Sequence, residues 1–165
     1  DGKQVLSTKL ELFHPATRQW FTGCDMPTAR AYFGAAVHDN KIFCFGGLGN
    51  DSMTMYNPVG NVWTELGRLP RPRYAFSAIE YKGLIYLVGG SSTDENIRTV
   101  DRYDPVSRTF VNDGIVIAIP DNWSSRGSAI LDDKIYCIGG VSVEGHFTKV
   151  VDVYDMKKRT WSKAA

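Results

Sequence analysis

The residue types that most often carry out chemistry are few in this chain and lie far apart. Its histidines and cysteines are His14, His38, His146, Cys24, Cys44 and Cys137. The histidines fall in predicted turns or loops with no shared spacing, and the cysteines are odd in number and lack metal-ligand spacing. Neither a disulfide framework nor a zinc site is indicated, and the cysteine pattern favours a reducing, intracellular setting.

The sequence supports phosphate binding and acid–base catalysis no better than it supports a zinc site. The string GGLG at Gly46–Gly49 resembles a phosphate-binding loop, but it lacks the following Lys-Ser/Thr pair and the helix that would hold a phosphate. The acidic pairs Asp94-Glu95 and Asp132-Asp133 fall in separate loops. Only folding that brought such loops together would create a general acid–base pair, and the sequence leaves that open. We expect no catalytic residues, no metal and no cofactor.

Composition and charge narrow the classes of partner. Of the 165 residues, 43% are hydrophobic and 22% are charged, which is ordinary for a globular protein. The 19 basic and 18 acidic side chains give a net charge of +1, so there is no electrostatic case for nucleic acid or a membrane surface. No apolar run approaches the roughly 20 residues that span a bilayer, and the first residues lack a signal-peptide layout. These features predict a cytoplasmic protein.

An internal repeat determines the elements that position these residues. Three eighteen-residue segments align without a gap and end in two glycines: RAYFGAAVHDNKIFCFGG from Arg30, RYAFSAIEYKGLIYLVGG from Arg73 and WSSRGSAILDDKIYCIGG from Trp123. Downstream, an aromatic residue at a turn precedes a second aromatic residue by seven positions, in the pairs Phe13–Trp20, Tyr56–Trp63, Tyr103–Phe110 and Tyr154–Trp161. The first members of these pairs are 43, 47 and 51 residues apart, so the repeats differ in length only in their loops.

Each repeat is expected to form four short strands. The segments KIFCF, LIYLV and KIYCI are continuous apolar runs, which are typical of strands buried on both faces. Asn57-Pro58 and Asp104-Pro105 suit turns, and no segment has a sustained helical period with caps. Cys44 and Cys137 share a position in the repeat, which indicates packing rather than redox chemistry. The predicted fold class is all-β.

The double glycine, the tyrosine turn, the spaced tryptophan and an arginine that opens the unit together resemble the kelch repeat. The resemblance covers the chain from about Leu10 to Trp161 and is closest to the animal BTB–kelch group, whose linkers read like MPTAR before Tyr32. The chain departs from the pattern where Phe110 replaces tryptophan, Trp123 replaces arginine and Met156 replaces proline. Its third linker, VNDGIVIAIPDNWSS, is also longer than the others.

The resemblance implies a β-propeller with four-stranded antiparallel blades around a central channel. The chain would supply about three and a half blades: a half blade at 1–29 and blades at about 30–65, 66–112 and 113–165. Propellers have about four to eight blades because the ring must close to cover its edges. The resemblance therefore implies part of a six-bladed propeller, in which further blades or another chain close the ring.

The resemblance also implies that a protein or peptide ligand binds the loops on one face of the propeller. Contacts are expected just after the double glycine, early in the innermost strand and in the adjoining loop. The candidate contacts are Tyr32, Leu48, Asn50, Ala75, Ser91, Thr93, Asn96, Arg98, Ser125, Arg126, Val141 and Val143. Tyr32 and Arg126 are the strongest candidates because tyrosine and arginine dominate binding hot spots, with solvent exposure alone as the alternative for Arg126. Arg30 and Arg73 are expected to brace the linkers.

Three functions follow from the resemblance. The leading one is substrate recognition for a cullin-type ubiquitin ligase, although the BTB and BACK regions that would bind the cullin lie outside this sequence. The alternative is an actin-binding cytoskeletal scaffold. The third is a sugar-modifying kelch enzyme, which would need a metal cluster or an acid–base set at the channel mouth.

Overall fold

The chain folds as antiparallel strands joined by turns and loops. The computed structural model describes residues 6–93, 95–142 and 144–164, and these ranges contain no helix. Nothing in them could therefore cross a membrane as a long apolar helix. The fold class predicted from the repeat is confirmed.

The strands form four sheets that repeat one plan. In chain order they are β1 (Glu11–His14), β2 (Gln19–Thr22), β3 (Gly34–His38), β4 (Lys41–Phe45), β5 (Ser52–Asn57), β6 (Val62–Arg68), β7 (Ser77–Tyr81), β8 (Leu84–Val88), β9 (Thr99–Asp104), β10 (Thr109–Phe110), β11 (Ile117–Ala118), β12 (Gly127–Leu131), β13 (Lys134–Ile138), β14 (Val151–Asp155) and β15 (Thr160–Lys163). β1 and β2 form a half blade, β3–β6 form blade 2, β7–β11 form blade 3, and β12–β15 form blade 4. Each blade is an antiparallel meander, as the kelch resemblance implies.

Blade 3 departs from this plan because its outer strand is split in two. β10 pairs with β9 at Phe110 and Tyr103, and β11 pairs with the same strand at Ile117 and Val100. The chain between β10 and β11 is longer than the stretch of β9 that it faces, so it leaves the sheet as a loop. The long third linker is thus partly a bulge of this strand, and blade 3 extends past the expected boundary at 112.

The core lies between the blades, because a strand in the middle of a blade buries both of its faces. Along β8, Ile85 and Leu87 pack in a cluster with blade 2, whereas Tyr86 and Val88 pack in a cluster with blade 4. Neighbouring side chains on a strand point to opposite faces. A continuous apolar run therefore serves two interfaces at once, which explains the sequence pattern LIYLV.

The double glycines allow the backbone of one blade to approach that of the next. Gly46 has a φ of 59°, and a Cβ built there would lie 2.6 Å from the carbonyl oxygen of Arg73. The amide of Gly47 donates a hydrogen bond to that same oxygen at 3.0 Å. Because Arg73 leads into blade 3, these glycines are needed where the two blades meet.

Two buried arginines brace the linkers that lead into blades 2 and 3. Arg30 donates hydrogen bonds to the carbonyl oxygens of Gly46 and Ser52 at 2.6 and 2.8 Å. Arg73 forms an ion pair with Asp101 on β9. Burial lowers the pKa of Arg73 to about 10, so the guanidinium stays charged at neutral pH and depends on its carboxylate partner. Both arginines have the bracing role expected from the repeat.

Candidate protein-binding face

Three equivalent residues precede the innermost strands β3, β7 and β12. Tyr32, Ala75 and Ser125 all have left-handed backbone conformations, with φ values of 55°, 52° and 51°. The amide of Ala75 donates to the carbonyl of Tyr32 at 2.8 Å, and the amide of Ser125 donates to the carbonyl of Ala75 at 3.2 Å. Main-chain hydrogen bonds therefore run from blade to blade at the start of these strands, and the side chains take no part in them.

The loops that follow the double glycines lie at this same end of the blades, which we call the loop face. Between blades 2 and 3 they enclose a recess of about 580 Å³, named here the blade 2–3 recess. It is lined by Gly47–Asp51, Arg68, Arg71–Tyr74, Ser92, Thr93 and Glu95. The structure thus brings together three of the predicted contacts, Leu48, Asn50 and Thr93.

A second recess, of about 320 Å³, lies between blades 3 and 4 and adjoins the first. Among the predicted contacts, Ser91, Thr93, Asn96 and Ser125 line it. Ser91 and Asn96 are buried, however, and the hydroxyl of Ser91 donates to the amide oxygen of Asn96 at 2.8 Å. These two side chains hold the loop in shape, whereas Thr93 and Ser125 are exposed.

The remaining predicted contacts line neither recess. Tyr32 is 55% exposed, and Ala75 is half-buried beside the first recess. Arg98 donates from Nε to the carbonyl of Ile119 at 3.1 Å, so it ties its loop to the linker after β11. Val141 forms an antiparallel bridge with Ser124. Val143 lies outside the described residues.

Arg126 differs from the exposed contact expected from the sequence, because it is buried within blade 4. Its guanidinium donates to Asp152 at 2.7 Å and to the carbonyl of Cys137 at 2.6 Å. Cys137 and Asp152 are paired across β13 and β14 in the same way that Leu87 and Asp101 are paired across β8 and β9. Arg126 therefore occupies the equivalent of the Arg73 site.

The arginine site of blade 4 is filled from a different sequence position. Trp123 stands where Arg73 stands in the preceding repeat, and Arg126 follows it three residues later. The loss of arginine at the repeat position was visible in the sequence. The compensation by Arg126 was not visible in the sequence, because it depends on where the side chain of Arg126 ends. We therefore do not propose Arg126 as a ligand contact.

The end of β6 and the linker into blade 3 supply binding-face residues that the sequence reasoning missed. Arg68 and Arg71 both line the blade 2–3 recess. The available signal was the run RLPRPR at Arg68–Arg73, in which two prolines restrict the backbone and place three arginines within one short connection.

Two observations on the described residues concern metal binding and cysteine chemistry. No group of three histidine, cysteine, aspartate or glutamate residues in the described ranges could hold a metal ion. Burial raises the pKa of the Cys44 thiol to about 11 and also raises that of Cys137. Both are protonated thiols at neutral pH and therefore weak nucleophiles.

Comparisons with known proteins match the chain over almost its whole length. The KLHDC2/KLHL20/DRC7 Kelch-repeats domain matches residues 2–165. Kelch-like protein 35 of Mus musculus is 27% identical over 154 residues, which cover 92% of this chain and 26% of the relative. Beta-scruin of Limulus polyphemus is 31% identical over 171 residues, which cover 94% of this chain and 18% of the relative. The chain thus spans about a quarter or less of the length of these relatives.

A solved structure supports the architecture. The structure of YjhT matches with a TM-score of 0.76 over 97% of this chain and 65% of that chain, at 16% sequence identity. At so low an identity the likeness concerns the fold alone. The propeller-like structural match agrees with the antiparallel meander of each sheet and with the left-handed double glycines. Because the family match also extends over nearly every residue, this chain belongs to the kelch-repeat family.

Proposed function

We propose that this kelch protein-interaction module recognises substrate proteins for a cullin-type ubiquitin ligase in the cytoplasm. The observation that carries the proposal is the contrast between repeated strands and unlike loops at the loop face. The strands keep one pattern from blade to blade, whereas the loops after the double glycines differ in length and chemistry. A rigid scaffold with variable loops is a common arrangement for recognition.

The two recesses together suit an extended segment of a partner protein. Tyr74, Ser92, Thr93 and Glu95 line both of them, so the recesses adjoin rather than stand apart. Tyr32 lies in the same face and is 55% exposed. Tyrosine supplies large contact area at low entropic cost, which makes Tyr32 the side chain whose removal should weaken binding most.

Affinity capture from cells with the full-length protein tests this function. We expect the double variant Tyr32→Ala, Leu48→Asp to lose at least about tenfold of the captured partner, because it removes an aromatic anchor and puts a charge into the blade 2–3 recess. Val59→Ala is the matched control, since Val59 is exposed in the turn between β5 and β6, at the far end of β5 from the loop face. Equal capture by the double variant would show that partners bind elsewhere.

The ligase role has its own readout. Captured partners should be ubiquitinated, and their half-lives should lengthen when the protein is depleted. If depletion of the protein changes neither the ubiquitination nor the turnover of captured partners, the ligase role is contradicted, whereas protein binding is not.

An actin-binding scaffold is the second candidate. It is retained because the chain resembles scruins as well as kelch-like proteins. Co-sedimentation with actin filaments separates it from the first candidate, since a substrate adaptor should stay in the supernatant. A sugar-modifying enzyme ranks third, and bound copper or turnover of a sugar would raise it above both.

We also propose that further blades of the same propeller cover the exposed faces of the first and last blades of this chain. On β3, Gly34 and Ala36 are buried, but Val37 is 61% exposed. At the other end, Leu131 on β12 is 60% exposed. In the half blade Phe13 is 48% exposed, whereas its counterpart Tyr56 in blade 2 is 2% exposed. Apolar surface at both ends supports the presence of neighbouring blades there, as does the 65% of the YjhT chain that this chain covers.

Light scattering of the 165-residue chain alone tests the closure. We expect concentration-dependent association, because the uncovered blade faces pack against one another. The double variant Val37→Lys, Leu131→Lys should suppress that association, whereas Val59→Lys, in an exposed turn, should not. A monodisperse monomer that unfolds cooperatively would contradict the proposal.

A further inference from the structure

We propose that the blade 2–3 recess binds an acidic segment of a partner protein, with Arg71 as its cationic anchor. This inference rests on the proposed protein-binding function and adds a chemical class of ligand to it.

Arg71 is the unpaired member of a group of three arginines. Arg68 forms an ion pair with Asp51 at 2.8 Å, and the buried Arg73 forms one with Asp101. Arg71 is exposed and makes no hydrogen bond or ion pair with any residue in the described ranges. Its guanidinium is therefore available to a carboxylate, with which it forms bidentate hydrogen bonds.

Arg71 stands between two hollows in the surface. On one side is the blade 2–3 recess, and on the other is a hollow of about 410 Å³ beside the bulge of blade 3. That hollow is lined by Pro70, Arg71, Thr99–Arg102 and Phe110–Val116. Arg71 lines both, so an extended segment that occupies the two hollows can contact it from either side.

The linker holds Arg71 on a stiff stretch of backbone. Pro70 and Pro72 flank it directly, and each proline restricts its own φ and the conformation of the residue before it. Little backbone entropy is then lost when Arg71 engages a ligand. A cation carried on a restricted backbone between two hollows favours specific binding over a loose ionic contact.

The surrounding charges leave a local positive excess at Arg71. The neighbouring carboxylates are already paired, in Asp51–Arg68, Asp101–Arg73 and Asp113–Arg102. The positive charge of Arg71 also acts on Arg73: burial is the larger cause of the lowered pKa of Arg73, and repulsion from Arg71 is the smaller one. Glu95 lines the loop side of the same recess. We therefore expect the acidic residue of the ligand to lie toward Arg71 and away from Glu95.

The first experiment selects ligands without bias toward acidity. A library of random twelve-residue peptides displayed on phage is panned against the full chain, and the selected peptides are sequenced. We expect enrichment of aspartate and glutamate relative to the library. The most enriched peptide is then synthesised with a fluorescent label, and its dissociation constant is measured by anisotropy.

Matched variants locate the acidic contact. Arg71→Gln should weaken the selected peptide by about tenfold or more and reduce the salt dependence of its binding. Arg108→Gln, at an exposed arginine in the turn between β9 and β10, should leave the affinity unchanged. Arg71→Glu combined with an acidic-to-lysine change in the peptide should restore binding, which a merely structural role of Arg71 would not do.

The outcomes separate this inference from the proposed function. Peptides that bind the loop face with no acidic enrichment, or that bind Arg71→Gln as well as the parent chain, would overturn the inference and leave protein binding in place. Failure to select any peptide, together with no partner in affinity capture, would overturn both.

Discussion

Replacing Asp152 with alanine should lower the free energy of unfolding by about 3–5 kcal/mol. Its carboxylate accepts a hydrogen bond from Arg126 at 2.7 Å, and the two side chains are 1% and 5% exposed. Without Asp152, a charged guanidinium remains buried with only backbone carbonyls as acceptors. Urea unfolding followed by tryptophan fluorescence measures the loss.

Two further variants show whether burial is the reason. Asp51→Ala removes a carboxylate that lies 2.8 Å from Arg68, but Arg68 is 76% exposed, so the loss should be under about 1 kcal/mol. The double variant Arg126→Met, Asp152→Leu replaces both charges by apolar groups and should recover most of the stability. Equal losses for Asp152→Ala and Asp51→Ala would mean that burial of an unpaired guanidinium is not the reason for the loss in Asp152→Ala.

Gly46→Ala is the second substitution with a large expected effect, a loss of about 2–4 kcal/mol. The left-handed backbone at Gly46 costs a non-glycine residue about 1–2 kcal/mol by itself. The new Cβ would also lie 2.6 Å from the main-chain oxygen of Arg73, which cannot turn away as a side chain can. That oxygen accepts the hydrogen bond from Gly47, so any shift weakens the contact between blades 2 and 3.

Gly49→Ala separates crowding from backbone strain. Gly49 has a φ of 68°, close to the 59° of Gly46, but a Cβ there would meet nothing within 4 Å. It should cost about 1 kcal/mol, the strain alone. If thermal unfolding shows the same loss for both substitutions, close approach between the blades is not what requires glycine at position 46.

The repeat predicts most of the fold because each of its signals is local. Apolar runs indicate strands with two buried faces, and β8 divides its side chains between two clusters accordingly. The double glycines indicate close backbone approach, and Gly46 shows it. The split outer strand of blade 3 could not be predicted, because an inserted stretch in the sequence does not reveal whether it lengthens a linker or leaves a sheet.

The candidate site was predictable only in outline. Their positions after the double glycines predicted Leu48, Asn50 and Thr93 as contacts, and all three line one recess. Position alone could not show that Asn96 would turn inward, nor that Arg126 would fill a site vacated at Trp123. Both depend on partners that are distant in the sequence, and periodicity carries no information about them.

The blade-to-blade hydrogen bonds at Tyr32, Ala75 and Ser125 also bear on how kelch domains diversify. Because amides and carbonyls alone make these bonds, the same backbone is compatible with a tyrosine, an alanine and a serine within a single chain. Mutation can therefore exchange these side chains at small thermodynamic cost. A lineage of such domains can thus acquire new binding partners one residue at a time while its framework stays intact.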